Sequence, residues 1–125
     1  MNNKHSCKFP DRCPVESTVQ IISGKWKSVI LYHLFKNKVV RFSYLNKQIN
    51  GCSKRMLALQ LKELERDHII KKKIYPVMPP KTEYRITKFG KSLHPVIIEM
   101  EKWGVNCMMP QVMSNMKNNI LIVVK

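Results

Sequence analysis

Acidic side chains are scarce in this sequence: 8 Asp and Glu stand against 23 Lys and Arg in 125 residues, a formal charge of +15. Between Ser17 and Lys62 there is no acidic residue at all, while Lys25, Lys27, Lys36, Lys38, Arg41, Lys47, Lys54, Arg55 and Lys62 all fall there. A stretch of one sign that long implies a positive field over part of the surface, suited to a polyanion. The plainer alternative is a set of solvated lysine faces. Also missing is any apolar run near the ~20 residues that cross a bilayer. The opening Met1-Asn2-Asn3-Lys4-His5-Ser6 has no apolar stretch of the secretory kind. The chain therefore reads as cytoplasmic, with no membrane partner. A membrane-surface protein would need basic residues opposite one apolar helix face, whereas here they spread over several segments.

Catalytic and metal signatures are absent too. There is no nucleophile elbow, P-loop or H-E-x-x-H, and His5, His33, His68 and His94 are scattered. Cys7, Cys13, Cys52 and Cys107 form no C-x-x-C pair, which disfavours a zinc ribbon. His5, Cys7 and Cys13 lack a fourth ligand, so no metal is expected. A thiol hydrolase pairing Cys13 with a histidine has no support from spacing. The expectation is a non-enzymatic protein without a cofactor. A cytosolic setting also argues against permanent disulfides.

What is present is a hydrophobic content of 44%, enough for one packed domain. Pro14 suits the first turn of a helix that Gly24 can end. A second helix fits Lys25 to Phe35, with Trp26, Val29, Ile30, His33 and Leu34 on one face. A third fits Phe42 to Ile49, followed by an Asn50-Gly51 turn. Ser53 then caps a fourth helix running to about His68, with Leu57, Leu61 and Leu64 inward and His68 on the same face. Two helices joined by a short Gly-containing turn form a helix-turn-helix.

Ile69 to Tyr75 and Lys81 to Ile86 flank a Pro-rich loop and read as a β-hairpin. Lys71, Lys72, Lys73 and Lys81 make it a basic wing. Thr87 caps the next helix, Pro95 starts another, and Pro110 ends it. Val96, Ile97, Met100, Trp103, Gly104, Cys107 and Met108 give that last helix an apolar face broader than its own core needs, which suits a dimer interface. Ile120 to Val124, five apolar β-formers in a row, fits either an added strand pairing with a partner or an aggregation-prone free segment, and the pattern does not choose between them. The fold class is thus mostly α with a small β-hairpin wing: a winged helix-turn-helix, dimeric. The organisation is a flexible segment 1–12, a domain 13–110 and a tail 111–125 to which the pattern assigns no structure.

On the fourth helix, Arg55, Leu59, Lys62 and Arg66 lie opposite the inward leucines, with Ala58 at the edge. This basic face marks the recognition helix of a duplex-DNA reader. Lys54 and Arg55 lie in the first turn, where Arg can pair with guanine; phosphate contact without base readout is the alternative for both. Ser53 acts as the cap, Gln60 can reach a base or the backbone, and Lys62 suits a phosphate. Lys25 and Lys27 can pin a phosphate at the start of the second helix, and Lys73 and Lys81 do so from the wing. Cys13 precedes a helix N-terminus and follows Arg12, a setting that favours a reactive sulfur. The opposing reading is a small buried apolar residue. Cys52 reads as packing in the turn.

Cys13-Pro14-Val15, Gly24-Lys25-Trp26, Arg41-Phe42 with Leu45 and Ile49, Ser53-x-Arg55-Met56-Leu57, Leu61-Lys62-Glu63-Leu64-Glu65, Pro79-Pro80-x-x-Glu83-Tyr84, Thr87, Gly90 and Trp103-Gly104 occur in this order. Together they resemble the HxlR-type family of winged helix-turn-helix regulators, distantly similar to MarR-type regulators. The resemblance covers about residues 13–104. It implies a transcriptional regulator, expected to be a repressor, on a palindromic double-stranded operator. It also implies a homodimer held by the first and last helices, which adds Val15 and Val19 to Val96, Ile97, Met100, Trp103 and Cys107. Some members sense an electrophile or oxidant through the cysteine matching Cys13; Cys107 of the other subunit is the expected partner thiol. A regulator with no thiol switch is the alternative. The sequence departs from the family at Ala58, Leu59 and Gln60, where polar residues are usual, and at His68, where glycine is frequent.

Overall fold

A computed structural model describes residues 13–124. They fall into two compact units, one ending at Ser92 and one starting at Leu93. The first begins with α1 (Pro14–Ile22), entered through an extended Cys13 with proline in the first turn. Then come α2 (Lys27–Lys36), the short strand β1 (Val40–Arg41), α3 (Phe42–Gln48) and α4 (Lys54–Arg66). Strands β2 (Ile70–Tyr75) and β3 (Lys81–Ile86) and the one-turn α5 (Lys88–Lys91) complete it. The antiparallel sheet has the order β1-β3-β2, with Val40 opposite Tyr84, Lys72 opposite Tyr84 on the other side, and Tyr75 opposite Lys81.

The core explains the pattern. Ile30, Leu31 and Leu34 of α2 meet a layer made by Leu45, Ile49, Leu57, Leu61 and Leu64, closed by Val40, Ile69, Ile70 and Tyr84; all are buried. The buried stripe of α2 is thus centred on Ile30, Leu31 and Leu34. Val29 is exposed and His33 only half-buried, so the face expected from Trp26 and Val29 is rotated. Strand β1 was not anticipated. Two residues carry no periodicity, and β1 exists because β3 supplies its ladder partners.

Helix α4 ends in a left-handed turn. His68 has φ 62°, its N–H bonds to the Glu65 carbonyl, and the Ile69 N–H reaches back to Leu64. That is a Schellman motif, in which glycine usually occupies the position His68 holds. His68 therefore lies outside the helix and is exposed, not on the inward face with Leu64. Thr87 anchors the next element: its hydroxyl accepts from the Gly90 N–H at 2.9 Å and donates to the His68 carbonyl at 2.6 Å. At Gly90 a β-carbon would collide with the Ile69 carbonyl, so only glycine lets α5 settle there.

The second unit holds α6 (His94–Trp103), a π-helical turn over Gly104–Met108, and α7 (Met109–Val124). Pro95 lies in the first turn of α6, as expected. Pro110 does not end the helix. It has no N–H to give to the carbonyl four residues back and its ring would clash there. The chain absorbs this by widening to a π turn, in which the Met109 N–H bonds to the Gly104 carbonyl. The strand considered for Ile120 to Val124 is also replaced: residues 109–124 are helical. The segment 1–12, with His5 and Cys7, lies outside the described residues.

Candidate nucleic-acid interface

The helix-turn-helix consists of α3, its turn and α4. Gly51 takes φ +83°, which lets the chain reverse after Asn50. Ser53 then adopts an extended backbone, and its Oγ accepts from the Met56 N–H at 3.0 Å. This cap satisfies an otherwise orphaned donor and fixes where α4 begins. Cys52 is buried between these features. Burial pushes its thiol pKa up, with Lys25 pulling weakly the other way. Its expected role, packing in the turn, fits.

With Leu57, Leu61 and Leu64 buried, the opposite side of α4 faces water. Lys54, Arg55, Ala58, Leu59, Lys62 and Arg66 are all exposed. Arg66 leans on Asp67 at 3.4 Å while staying largely solvated. Gln60 is half-buried, and its amide donates to Met56 Sδ at 3.3 Å, so it points along the helix. The α1–α2 loop comes beside it: a β-carbon on Gly24 would lie 3.8 Å from Gln60 Oε1. That loop carries Lys25, which is exposed and holds its ammonium 4.8 Å above the Trp26 ring.

Lys27 corrects the sequence reading. It was expected to bind a phosphate, but it is buried, and its Nζ sits 2.6 Å from Glu63 Oε1. An ammonium bonded to a carboxylate inside the protein is not free for DNA. The pair instead ties α2 to α4. A hint lay in the sequence, because Glu63 is the residue that ends the long acid-free stretch.

The wing presents one charged face. Strand alternation and register put Lys71 opposite Arg85, Lys73 opposite Glu83 and Tyr75 opposite Lys81 on the same side of the hairpin. Tyr75 donates its hydroxyl to Glu83 at 3.0 Å, and the Lys73 ammonium lies 4.9 Å above its ring. Lys71, Lys72, Lys73, Lys81 and Arg85 are exposed. Arg85 was missed, although the period-two count from Lys81 through Glu83 leads to it.

The expected dimer residues divide. Val15 and Val19 stand exposed on α1, which buries Ser17. Val96, Met100 and Trp103 are exposed on α6 and, with Pro95, Glu99, Gly104 and Met108, line a groove of about 770 Å³. Ile97 is corrected: it is only 3% exposed, so its side chain is spent within the chain. Cys13 and Cys107 are both exposed thiols. Among the described residues no group of His, Cys, Asp and Glu could hold a metal, and no helix is long and apolar enough to cross a membrane.

Residues 21–112 match the model of the HxlR-like helix-turn-helix family. The chain belongs to that family. HxlR-like proteins are DNA-binding helix-turn-helix regulators of transcription, and the winged helix built above is their fold. The HTH-type transcriptional regulator YdeP of Bacillus subtilis is 51% identical over 92 residues, covering 74% of this chain and 71% of YdeP. Among solved structures, the redox regulator HypR in its reduced form is 41% identical, with a TM-score of 0.70 over 74% of this chain and 90% of HypR. Its oxidized form gives 42% and 0.69, over 74% and 94%. The reduced transcriptional regulator YodB of B. subtilis is 32% identical, with a TM-score of 0.66 over 79% and 95%.

Proposed function

We propose that this HxlR-like chain is a cytoplasmic, homodimeric repressor that grips a palindromic duplex operator and answers an electrophile or oxidant through Cys13. One observation carries the DNA reading. The capped helix α4 turns Arg55, Lys62 and Arg66 to solvent, beside a hairpin whose charged face holds Lys71, Lys73, Lys81 and Arg85. In this reading α4 enters the major groove, Arg55 pairs with a base edge, Lys54, Lys62 and Lys25 hold phosphates, and the hairpin follows the neighbouring backbone. Residues 13–110 form the operative domain, and 111–124 prolong its last helix. Val15, Val19, Val96, Met100 and Trp103 supply apolar surface for the second subunit.

The thiol switch rests on two supports. Cys13 is exposed at the N-terminus of α1, where an oxidant in solution can reach its sulfur. HypR, similar over most of its length, is a redox regulator known in reduced and oxidized forms. In the proposed step the thiols of Cys13 and of Cys107 from the second subunit lose two protons and two electrons to an oxidant such as diamide. A sulfur–sulfur bond forms and the diamide becomes its hydrazine. The test pairs a non-reducing gel with a gel-shift assay on a duplex selected from a random pool. A covalent dimer that vanishes in Cys13→Ser and Cys107→Ser, with altered operator binding, is expected. Monomer only, with unchanged binding, leaves a regulator without a thiol switch. No enriched duplex overturns the operator reading itself.

A further inference from the structure

The charged stripe of α4 is interrupted by an apolar side chain. At ~100° per residue, Arg55, Leu59, Lys62 and Arg66 fall along one line of the helix. Leu59 is 45% exposed in the middle of that line. The helix does not need it for the core, since Leu57, Leu61 and Leu64 already bury the other side. Surface leucines occur singly on many proteins. This one stands between cations, on the face that the proposed function turns toward DNA. A phosphate-holding face has no use for a branched alkyl group, because phosphates offer nothing apolar. The major groove offers one distinctive apolar group, the C5-methyl of thymine.

We infer that Leu59 is a specificity-determining residue that packs on a thymine methyl in each half-site. The neighbours fit. Ala58 is small and exposed, leaving room for a base-pair edge, and the Gln60 amide is engaged by Met56. Arg55, one turn earlier, would reach the adjoining base pair. This inference rests on the reading that α4 lies in the major groove.

The experiment uses the full chain and duplexes enriched from a random pool. Thymines in the protected half-site are replaced one at a time by deoxyuridine, which removes the methyl and keeps the pairing. For the wild-type protein, one such replacement in a single half-site should weaken binding about fourfold, and the matching replacement in both half-sites about fifteenfold, the worth of one and two buried methyl groups. In Leu59→Ala the thymine and uracil duplexes should bind alike. Because Leu59 is exposed, that variant is expected to fold, and the uracil arm needs no variant at all. Enriched duplexes whose binding ignores uracil overturn the methyl contact while leaving DNA recognition standing. So does a uracil penalty that persists in Leu59→Ala. No enrichment of any sequence overturns both.

Discussion

Replacing Lys27 by alanine would remove the cation that joins α2 to α4 through Glu63. Its ammonium is almost fully buried and lies 2.6 Å from Glu63, whose side chain keeps 31% of its exposure. At an effective dielectric of about 20, charges that close attract by about 6 kcal/mol. Most of this is offset by the cost of taking the ammonium out of water. Removing one partner of a fully buried pair costs about 3–5 kcal/mol, mainly through the stranded charge. Glu63 can turn partly to solvent, so Lys27→Ala should cost about 1–3 kcal/mol. Urea unfolding of Lys27→Ala, Glu63→Gln and the double variant measures this, and the double variant should be more stable than the sum of the singles allows. The same variants report on DNA. A lysine holding a phosphate lowers the salt slope of binding by about 1 when removed; the buried pair predicts an unchanged slope for Lys27→Ala. Stability within ~0.5 kcal/mol of wild type together with a lowered slope would refute the ion pair and restore the phosphate contact.

Lys81→Ala, on the hairpin, should do the opposite: leave stability unchanged and lower the salt slope by about 1, read by gel shift at several salt concentrations. Arg55→Ala should weaken operator binding by about 1–3 kcal/mol and relax the preference at one base pair, which competition between enriched and point-altered duplexes would reveal. His68 holds a left-handed backbone that costs a side-chain-bearing residue about 1–2 kcal/mol. Glycine regains part of that, so His68→Gly should raise Tm by a few degrees, roughly 3 °C in calorimetry. The His33 pKa is lowered by burial and then by Lys36. The fold thus prefers neutral His33, and stability should fall as pH drops below its ordinary value of about 6.5 toward the lower folded value. Denaturation midpoints from pH 7.5 to 5 should lose that component in His33→Gln.

The reading head was legible because its signals are local. Asn50-Gly51 sets the turn, Ser53 sets the cap, and the leucines of α4 repeat at helical spacing. The hairpin was legible from β-branched runs around prolines. What escaped depended on partners distant in sequence. Strand β1 owes its existence to β3, and Lys27 owes its burial to Glu63. On α2 the apolar residues are dense enough to allow two overlapping faces, and only packing chose Ile30, Leu31 and Leu34. Pro110 misled for another reason: the rule that proline stops a helix assumes α geometry, and the chain used a wider turn.

That wider turn also acts as a phase slip. A π turn inserts one extra residue into a helical screw, which rotates everything after it by about 100° relative to an unbroken helix. Without the slip, Cys107 would continue the line of Val96, Met100 and Trp103. With it, Met108 takes that place, and Met108 lines the groove while Cys107 does not. Sulfur chemistry and apolar surface are thereby set on different sides of one rod. Oxidation at Cys107 would leave the groove chemically untouched, and Cys107→Ser would leave its shape. Only a chain that kept α geometry through Gly104–Met108 with no residue removed would bring the thiol back into line and merge what the slip keeps apart.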